Sequence, residues 1–364
     1  MSEWTQPLGA LTAADSGAFG GKATGLGELI AGEIPVPAGF AVSTAAFDSF
    51  MEQGGLRARV DALLAELDPD DIAAVHAVAQ QIALEMRRDA VPAALRSEVV
   101  QRYGALAQHA GESAPPVAVR SSARGEDSAE ATFAGQQETF LWERGADGVC
   151  EAIRGCWISL YSPPAITYRA RLAATGEASA MGVVVQLMVD AEISGVMFTC
   201  SPVTGDPSVV AINAAWGLGL GVVGGDVTPD EYVVSKVTRE LLRSTIASKD
   251  FEYLPDPGGR GTARVPVPRE RRSEPCLAAE QLVALVELGR RVEGHFGSRQ
   301  DVEWAIARRG AFPESLHVLQ ARPVTATGVA GSEAIADRAG KSALALVMGL
   351  YGVKDDDLPP VSGS

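Results

Sequence analysis

Cysteine, histidine and aromatic side chains are scarce in this 364-residue chain, which holds four Cys, four His and 6% Phe, Trp and Tyr. Cys150, Cys156, Cys200 and Cys276 form no CxxC pair, so zinc and a disulfide framework are disfavoured. Buried thiols in a reducing compartment are expected instead. Positive charge is also in short supply: 31 Lys and Arg face 46 Asp and Glu, a formal charge of −15. Such a surface repels polyanions, so neither nucleic acid nor an anionic membrane is expected as a partner. The opening MSEWTQPLGAL has no basic n-region and no apolar h-region, so it does not read as a signal peptide. The apolar stretch at 209–225 is broken by Asn, Gly and Asp and is too interrupted to span a bilayer. A cytoplasmic location is expected. GxxxxGK[ST] is absent, which excludes a P-loop.

What is present is enough apolar sequence, 46%, for one large unit or two to three lobes. Ile72, Val75, Ala79, Ile82 and Met86 recur at helical spacing, as do Leu95, Val99, Tyr103 and Leu106. A short helix is expected over 24–32, after a Gly-Gly-Lys turn, and another over 147–174, interrupted at Pro163-Pro164. EIPVPAGFAV (33–42) reads as a loop into a strand, and PPVAVRSS (115–122) as a strand into a loop. MGVVVQLMV (181–189) and ISGVMFT (193–199) are β-branched runs joined by a polar tripeptide, and their pattern predicts a strand pair. VVAINAAW (209–216) and EYVVSKV (231–237) are further strands. A helix is expected over 278–297, followed by paired strands at DVEWAIA and LHVLQAR. No internal repeat is found. Residues 332–353 carry a helical pattern before a polar, Pro-containing end.

Chemistry is suggested by alternation. On a strand Asp301 and Glu303 point to one face. Two acids on one strand face suit either solvent or a cation, and Mg²⁺ takes one or two carboxylates beside nucleotide oxygens. Gln320 and Arg322 repeat the spacing on the neighbouring strand, so pairing would bring an amide and a guanidinium to the acids and favour the cation reading. Lys22 follows Gly20-Gly21 and precedes a helix, a setting compatible with phosphate but weak alone. Arg120, at a strand end, is either a bidentate phosphate ligand or simply solvated. The GxGxG within 214–221 lacks the βαβ context of a dinucleotide fingerprint. Gln186, Leu187, Met188 and Val189 end an apolar strand and read as core, or as a purine contact.

Taken in order, GGKATGLGELI…IPVPAGFAVSTAAFDSF, VRSSARGEDSAEATFAGQQETFL, CWISLYSPPAITYRAR, SGVMFTCSP, WGLGLGVVGGDVTPDEY and DVEWAI…LHVLQARPVT resemble the N-terminal nucleotide-binding module of the phosphoenolpyruvate synthase and pyruvate phosphate dikinase family, over residues 10–325. The resemblance implies an α/β (α+β), ATP-grasp-like fold of two to three lobes with ATP and Mg²⁺ between them. It implies a segment 1–188 with the phosphate-contacting cations and a mobile loop, a segment 189–325 with the metal site, and a tail 326–364 that is a linker or docks a partner. Lys22, Arg120 and Arg322 match the family's phosphate contacts, with Gln136 in the loop over the phosphates. Gln186, Leu187, Met188 and Val189 match the segment beside adenine. Asp301, Glu303 and Gln320 match the metal and phosphate site. One departure is Leu220, where the family often has Glu; the site then works with fewer acids, or Asp226 or Glu231 compensates, or catalysis is weakened.

In the family the β-phosphoryl of ATP passes to a histidine, leaving AMP and phosphate. The carrier signature is Thr-Ser-His preceded by glycines, and none of His76, His109, His295 and His317 has that setting. The expectation is an ATP-binding subunit of a split, phenylphosphate synthase-like enzyme. Its partner would carry the histidine and the acceptor site, for a phenol, an aryl alcohol or pyruvate. The alternatives are a standalone kinase giving ADP, a non-catalytic ATP-binding module, or a piece of a longer synthase.

Overall fold

The computed structural model describes residues 4–123, 138–171 and 180–324. The expected mobile loop, Gln136 with it, and the 326–364 tail lie outside those residues.

Two antiparallel sheets organise the chain. The first combines β1 (Thr5–Pro7), β2 (Gly39–Val42), β3 (Val117–Ala123), β4 (Thr139–Glu143) and β5 (Met181–Leu187), in the order β1-β2-β5-β3-β4. Helices Thr44–Glu52, Ile72–Arg88, Ala93–Ala110 and Gly145–Ser159 enclose a core on it, in which Phe47 and Phe50 meet Trp157. The helical periodicity found in the sequence is the reason: Val75, Ala79, Ile82 and Met86 face inward, as do Leu95, Val99, Tyr103 and Leu106. Ile72 departs from the pattern. It opens its helix, where no neighbouring turn covers it, and is 74% exposed.

The second sheet combines β6 (Ala191–Phe198), β7 (Val209–Trp216), β8 (Asp230–Ser235), β9 (Leu241–Thr245), β12 (Gln300–Ala307) and β13 (Leu316–Pro323), in the order β13-β12-β6-β7-β8-β9. Between β9 and β12 the chain makes a separate hairpin of β10 (Phe251–Pro255) and β11 (Thr262–Pro266). Helix Ala279–Phe296 turns Leu282, Leu285 and Val292 onto the inner face of the sheet, against Met197, Ile212, Val302 and Trp304. Helix Gly21–Ala31 adds Leu26 and Leu29 to that same core, and so ties the N-terminal part of the chain to the second sheet.

Two expectations need correction. The runs at 181–189 and 193–199 do not pair: β5 joins the first sheet and β6 the second. Their β-branched composition marks strands, but partner choice is decided by register elsewhere. The Leu187 and Met188 N–H groups donate to Ala38 and Pro116, so the chain stays extended along the first sheet before it crosses. The helix expected at 24 begins at Gly21. Gly20 makes the turn at φ +83°, and a Cβ there would meet the Ser122 carbonyl oxygen at 2.1 Å, so only glycine lets this turn close on β3. Lys22 therefore stands in the first helical turn and not in a preceding loop.

Candidate functional site

A cleft open to solvent runs between the sheets. The first sheet contributes Ala118, Arg120, Thr139 and Leu141 to its walls; β6 and β12 contribute Ser194, Glu303 and Ala305; the crossing segment closes one end with Leu187, Met188 and Val189. Its lining is mostly apolar with a few polar groups, the composition of small-molecule and cofactor sites. The Val189 N–H makes no backbone hydrogen bond among the described residues, although its neighbours' N–H and C=O groups do. Gln186 is buried and its amide donates to the Pro37 carbonyl at 3.3 Å.

The polar end is built from both sheets. Arg120 leaves β3 and donates to Glu303 at 2.9 Å, to the Gln320 side-chain oxygen at 2.6 Å and to the Leu319 carbonyl at 3.1 Å. Lys22, buried in the helix beside β3, donates its ammonium to the Ser121 carbonyl at 2.8 Å. The expected pairing of the closing strands is present: Asp301 lies opposite Arg322, and Glu303 opposite Gln320. The Arg322 Nε donates to Asp301 at 2.9 Å. Alternation places both acids on the cleft side of β12, while Val302, Trp304 and Ile306 enter the core.

The two carboxyls are driven in opposite directions. Burial raises Asp301 above the ordinary carboxylate range; Arg322 opposes this without cancelling it, and the Glu303 charge adds to it. Burial also acts to raise Glu303, but Arg120, Arg322 and Lys22 together outweigh it and hold that group low. A buried acid left under-compensated beside a second acid is a place where one more cation is stabilised, and two carboxylates with an amide oxygen suit Mg²⁺ when phosphate oxygens complete its shell. Among the described residues no group of three or more His, Cys, Asp or Glu is placed to hold a metal. Leu220 lies on the cleft wall and offers no oxygen. Asp226 is exposed and accepts from the Tyr253 hydroxyl at 2.8 Å.

All four cysteines are free and buried. Burial pushes the Cys150 thiol up to about 11, as expected of an inert thiol. None of the four histidines lines the cleft. No helix among the described residues is long and apolar enough to cross a membrane.

Sequence reasoning missed the β10–β11 hairpin. Its Arg260 reaches across to the first sheet's Glu143 at 2.5 Å and to Glu151 at 3.2 Å, and the Gly261 N–H donates to the Trp142 carbonyl at 3.3 Å. Trp142 is held at φ +60°, an uncommon conformation for a bulky residue, with its ring packed near Val189, Leu218 and Ala305. The alternating FEYLP, with its aromatics two apart, was the available signal for that strand.

Comparison with known proteins follows the same lines. The family model described as pyruvate phosphate dikinase, AMP/ATP-binding domain, matches residues 16–342. A probable phosphoenolpyruvate synthase of Methanothermobacter thermautotrophicus is 42% identical over 88% of this chain and 46% of its own length. A phosphoenolpyruvate synthase of Aeropyrum pernix is 38% identical over 84% of the chain and 40% of its own length. A rifampicin phosphotransferase of a Streptomyces species is 40% identical over 84% and 34% respectively. The chain thus spans less than half the length of these relatives.

Proposed function

The chain belongs to the pyruvate phosphate dikinase AMP/ATP-binding domain family, and from that premise we propose that it primes ATP for transfer of the β-phosphoryl group to a histidine on a separate partner subunit. The observation that carries this reading is the reach of Arg120 from one sheet to Glu303 and Gln320 on the other, at the polar end of an apolar cleft.

Adenine enters the apolar end, where the Val189 N–H is available to a ring nitrogen and Met188 and Leu218 cover its faces. The phosphates then run toward Arg120 and Lys22, whose charges neutralise the oxygens that gain charge as the phosphoryl group moves. Arg322 holds the Asp301 carboxylate in place. Asp301, Glu303 and Gln320 would hold Mg²⁺, which supplies further neutralisation of the phosphate oxygens. The histidine nitrogen attacks the β-phosphorus, the bond to the α-phosphate oxygen breaks, and AMP leaves. Hydrolysis of the remaining β–γ bond by one water releases inorganic phosphate. The charged phosphohistidine then serves a small acceptor such as a phenol, an aryl alcohol or pyruvate. The chemistry suits a cytoplasmic, ATP-rich compartment.

Leu220, and the lack among the described residues of any group of three or more His, Cys, Asp or Glu placed to hold a metal, favour a second reading, a regulatory module that binds ATP without turning it over. Product analysis separates them. ATP and Mg²⁺ are incubated with the chain, with and without a histidine-bearing partner. AMP and phosphate formed only with the partner support the transfer. ADP from the chain alone indicates a standalone kinase and overturns it, and tight binding with no product in either arm indicates the regulatory module.

A further inference from the structure

Strand β4 carries an extra residue where it borders the cleft. Phe140 lies opposite Val119 and Glu143 opposite Val117, so Leu141 and Trp142 together stand opposite the single residue Ala118 of β3. Such a bulge breaks the alternation of a strand and re-aims a side chain. Thr139 and Leu141 line the cleft, while Phe140 packs against the helix-covered core. Regular alternation would send Trp142 the way of Phe140. Instead its backbone turns to φ +60°, and the indole joins Val189, Leu218 and Ala305 on the cleft side. A bulky residue takes that conformation at a cost and keeps it only where its surroundings fix it.

Trp142 does not itself line the cleft. It is 7% exposed and stands behind the wall: Met188, Val189, Leu218, Ala305 and Leu319, with which it clusters, all do line it. One part of the wall depends on such backing more than the rest. Residues 188–190 belong to neither a helix nor a strand. The Met188 N–H donates to Pro116 and the Asp190 carbonyl accepts from Arg308, but Val189 between them makes no backbone hydrogen bond among the described residues. Packing therefore sets its place, and Trp142 is the largest side chain of the cluster that packs it. Leu218 is tied to the same tryptophan through the β10–β11 hairpin. The Leu218 N–H donates to the Tyr253 carbonyl at 2.9 Å, and the Gly261 N–H donates to the Trp142 carbonyl at 3.3 Å.

We infer that Trp142 is a positioning residue for the base of the bound nucleotide, acting through Val189 and Leu218: the indole sets how far these two stand apart, and so the width of the slot that a flat purine ring enters. This rests on the reading of the cleft as an ATP site. The role is confined to the base end, since Arg120, Glu303 and Gln320 hold the polar end and none of them belongs to the cluster around Trp142.

Calorimetric titration of the whole chain with ATP and Mg²⁺ tests the assignment, with tripolyphosphate and Mg²⁺ as a ligand that has no base. Trp142→Ala should weaken ATP binding about tenfold, the upper end of what one aromatic packing contact is worth, and should leave tripolyphosphate binding as before. Trp142→Phe, which keeps an aromatic ring behind the wall, should restore most of the ATP affinity. Equal losses for ATP and tripolyphosphate would mean that Trp142 only maintains the fold, and would overturn the inference, as would ATP affinity unchanged in Trp142→Ala. Emission supplies a second readout that needs only the milder variant. The chain has five tryptophans, and the difference between the spectra of the unsubstituted chain and Trp142→Phe isolates the signal of this one. ATP should change that difference spectrum; one unmoved by saturating ATP would also overturn the inference. Failure of the unsubstituted chain to bind ATP would instead overturn the ATP reading itself.

Discussion

The two faces of the second sheet each carry a charge cluster, and the two clusters are built on different rules. On the helix-covered face, Asp230 and Lys249 are fully buried and 2.5 Å apart. Every bonding direction of Asp230 is taken: Lys249 and the Ala247 N–H share one oxygen, and the Tyr232 hydroxyl and the Cys276 N–H share the other. Burial and that carboxylate together hold the Tyr232 and Cys276 protons in place far above ordinary pH. On the cleft face, Glu303 and Asp301 are partly open, at 26% and 12% exposure, and rest on guanidinium groups that a phosphate could engage in their stead. A sealed, saturated pair acts as a structural pin. An open pair leaning on replaceable partners is a candidate site.

Substitutions can break that contrast. The largest effect should come from Glu303→Ala. AMP formation in the presence of a partner should fall by about a thousandfold or more, in the range seen when a phosphoryl-transfer site loses a charge-handling group, with the thermal unfolding midpoint little changed. Retained turnover would remove Glu303 from the site. Lys249→Met should do the reverse. Leaving Asp230 uncompensated in the core should cost about 3–5 kcal/mol in urea unfolding, with nucleotide affinity preserved in the protein that remains folded. An affinity loss matching the stability loss would erase the distinction between the clusters.

Arg260→Ala addresses how the sheets are held around the cleft. Its side chain is 52% exposed, so the stability change should stay below about 1 kcal/mol, but nucleotide release in stopped flow should quicken by about threefold as the hairpin lets go of Glu143. An unchanged release rate would mean that the hairpin has no hold on the cleft. The smallest effect concerns His317, whose pKa burial depresses below 6.5. The neutral form is favoured in the fold, so its contribution is fully present above pH 6.5 and is lost as pH falls through the depressed value. His317→Gln should flatten stability between those two points and nowhere else. An unaltered acid limb would show that another group governs it.

Much of the site was legible because strand alternation is local. Asp301, Glu303, Gln320 and Arg322 declare their faces from spacing alone, and the two strands that carry them follow each other in sequence and pair. What stayed hidden depends on contacts between distant segments. Nothing near Arg120 announces that it meets Glu303, 183 residues away. The β5–β6 pairing expected from sequence failed for the same reason, since a strand's composition does not specify its neighbour. Lys22 was placed one turn off because the reach of its helix is set by Gly20 closing on Ser122.

Both large sheets are drawn from uninterrupted stretches of chain, the first ending at Leu187 and the second beginning at Ala191. Between them the backbone crosses once, through Met188, Val189 and Asp190. A cut or a flexible insertion at those three residues would leave each sheet with all its own strands, and helix Gly21–Ala31, packed into the core of the second sheet, would give the halves a surface on which to reassemble. The molecule is therefore suited to being divided into two co-expressed fragments, and Met188 and Val189, which line the cleft, would lie at the new ends. Nucleotide added to such a pair would act as the fastener that the peptide bond normally provides.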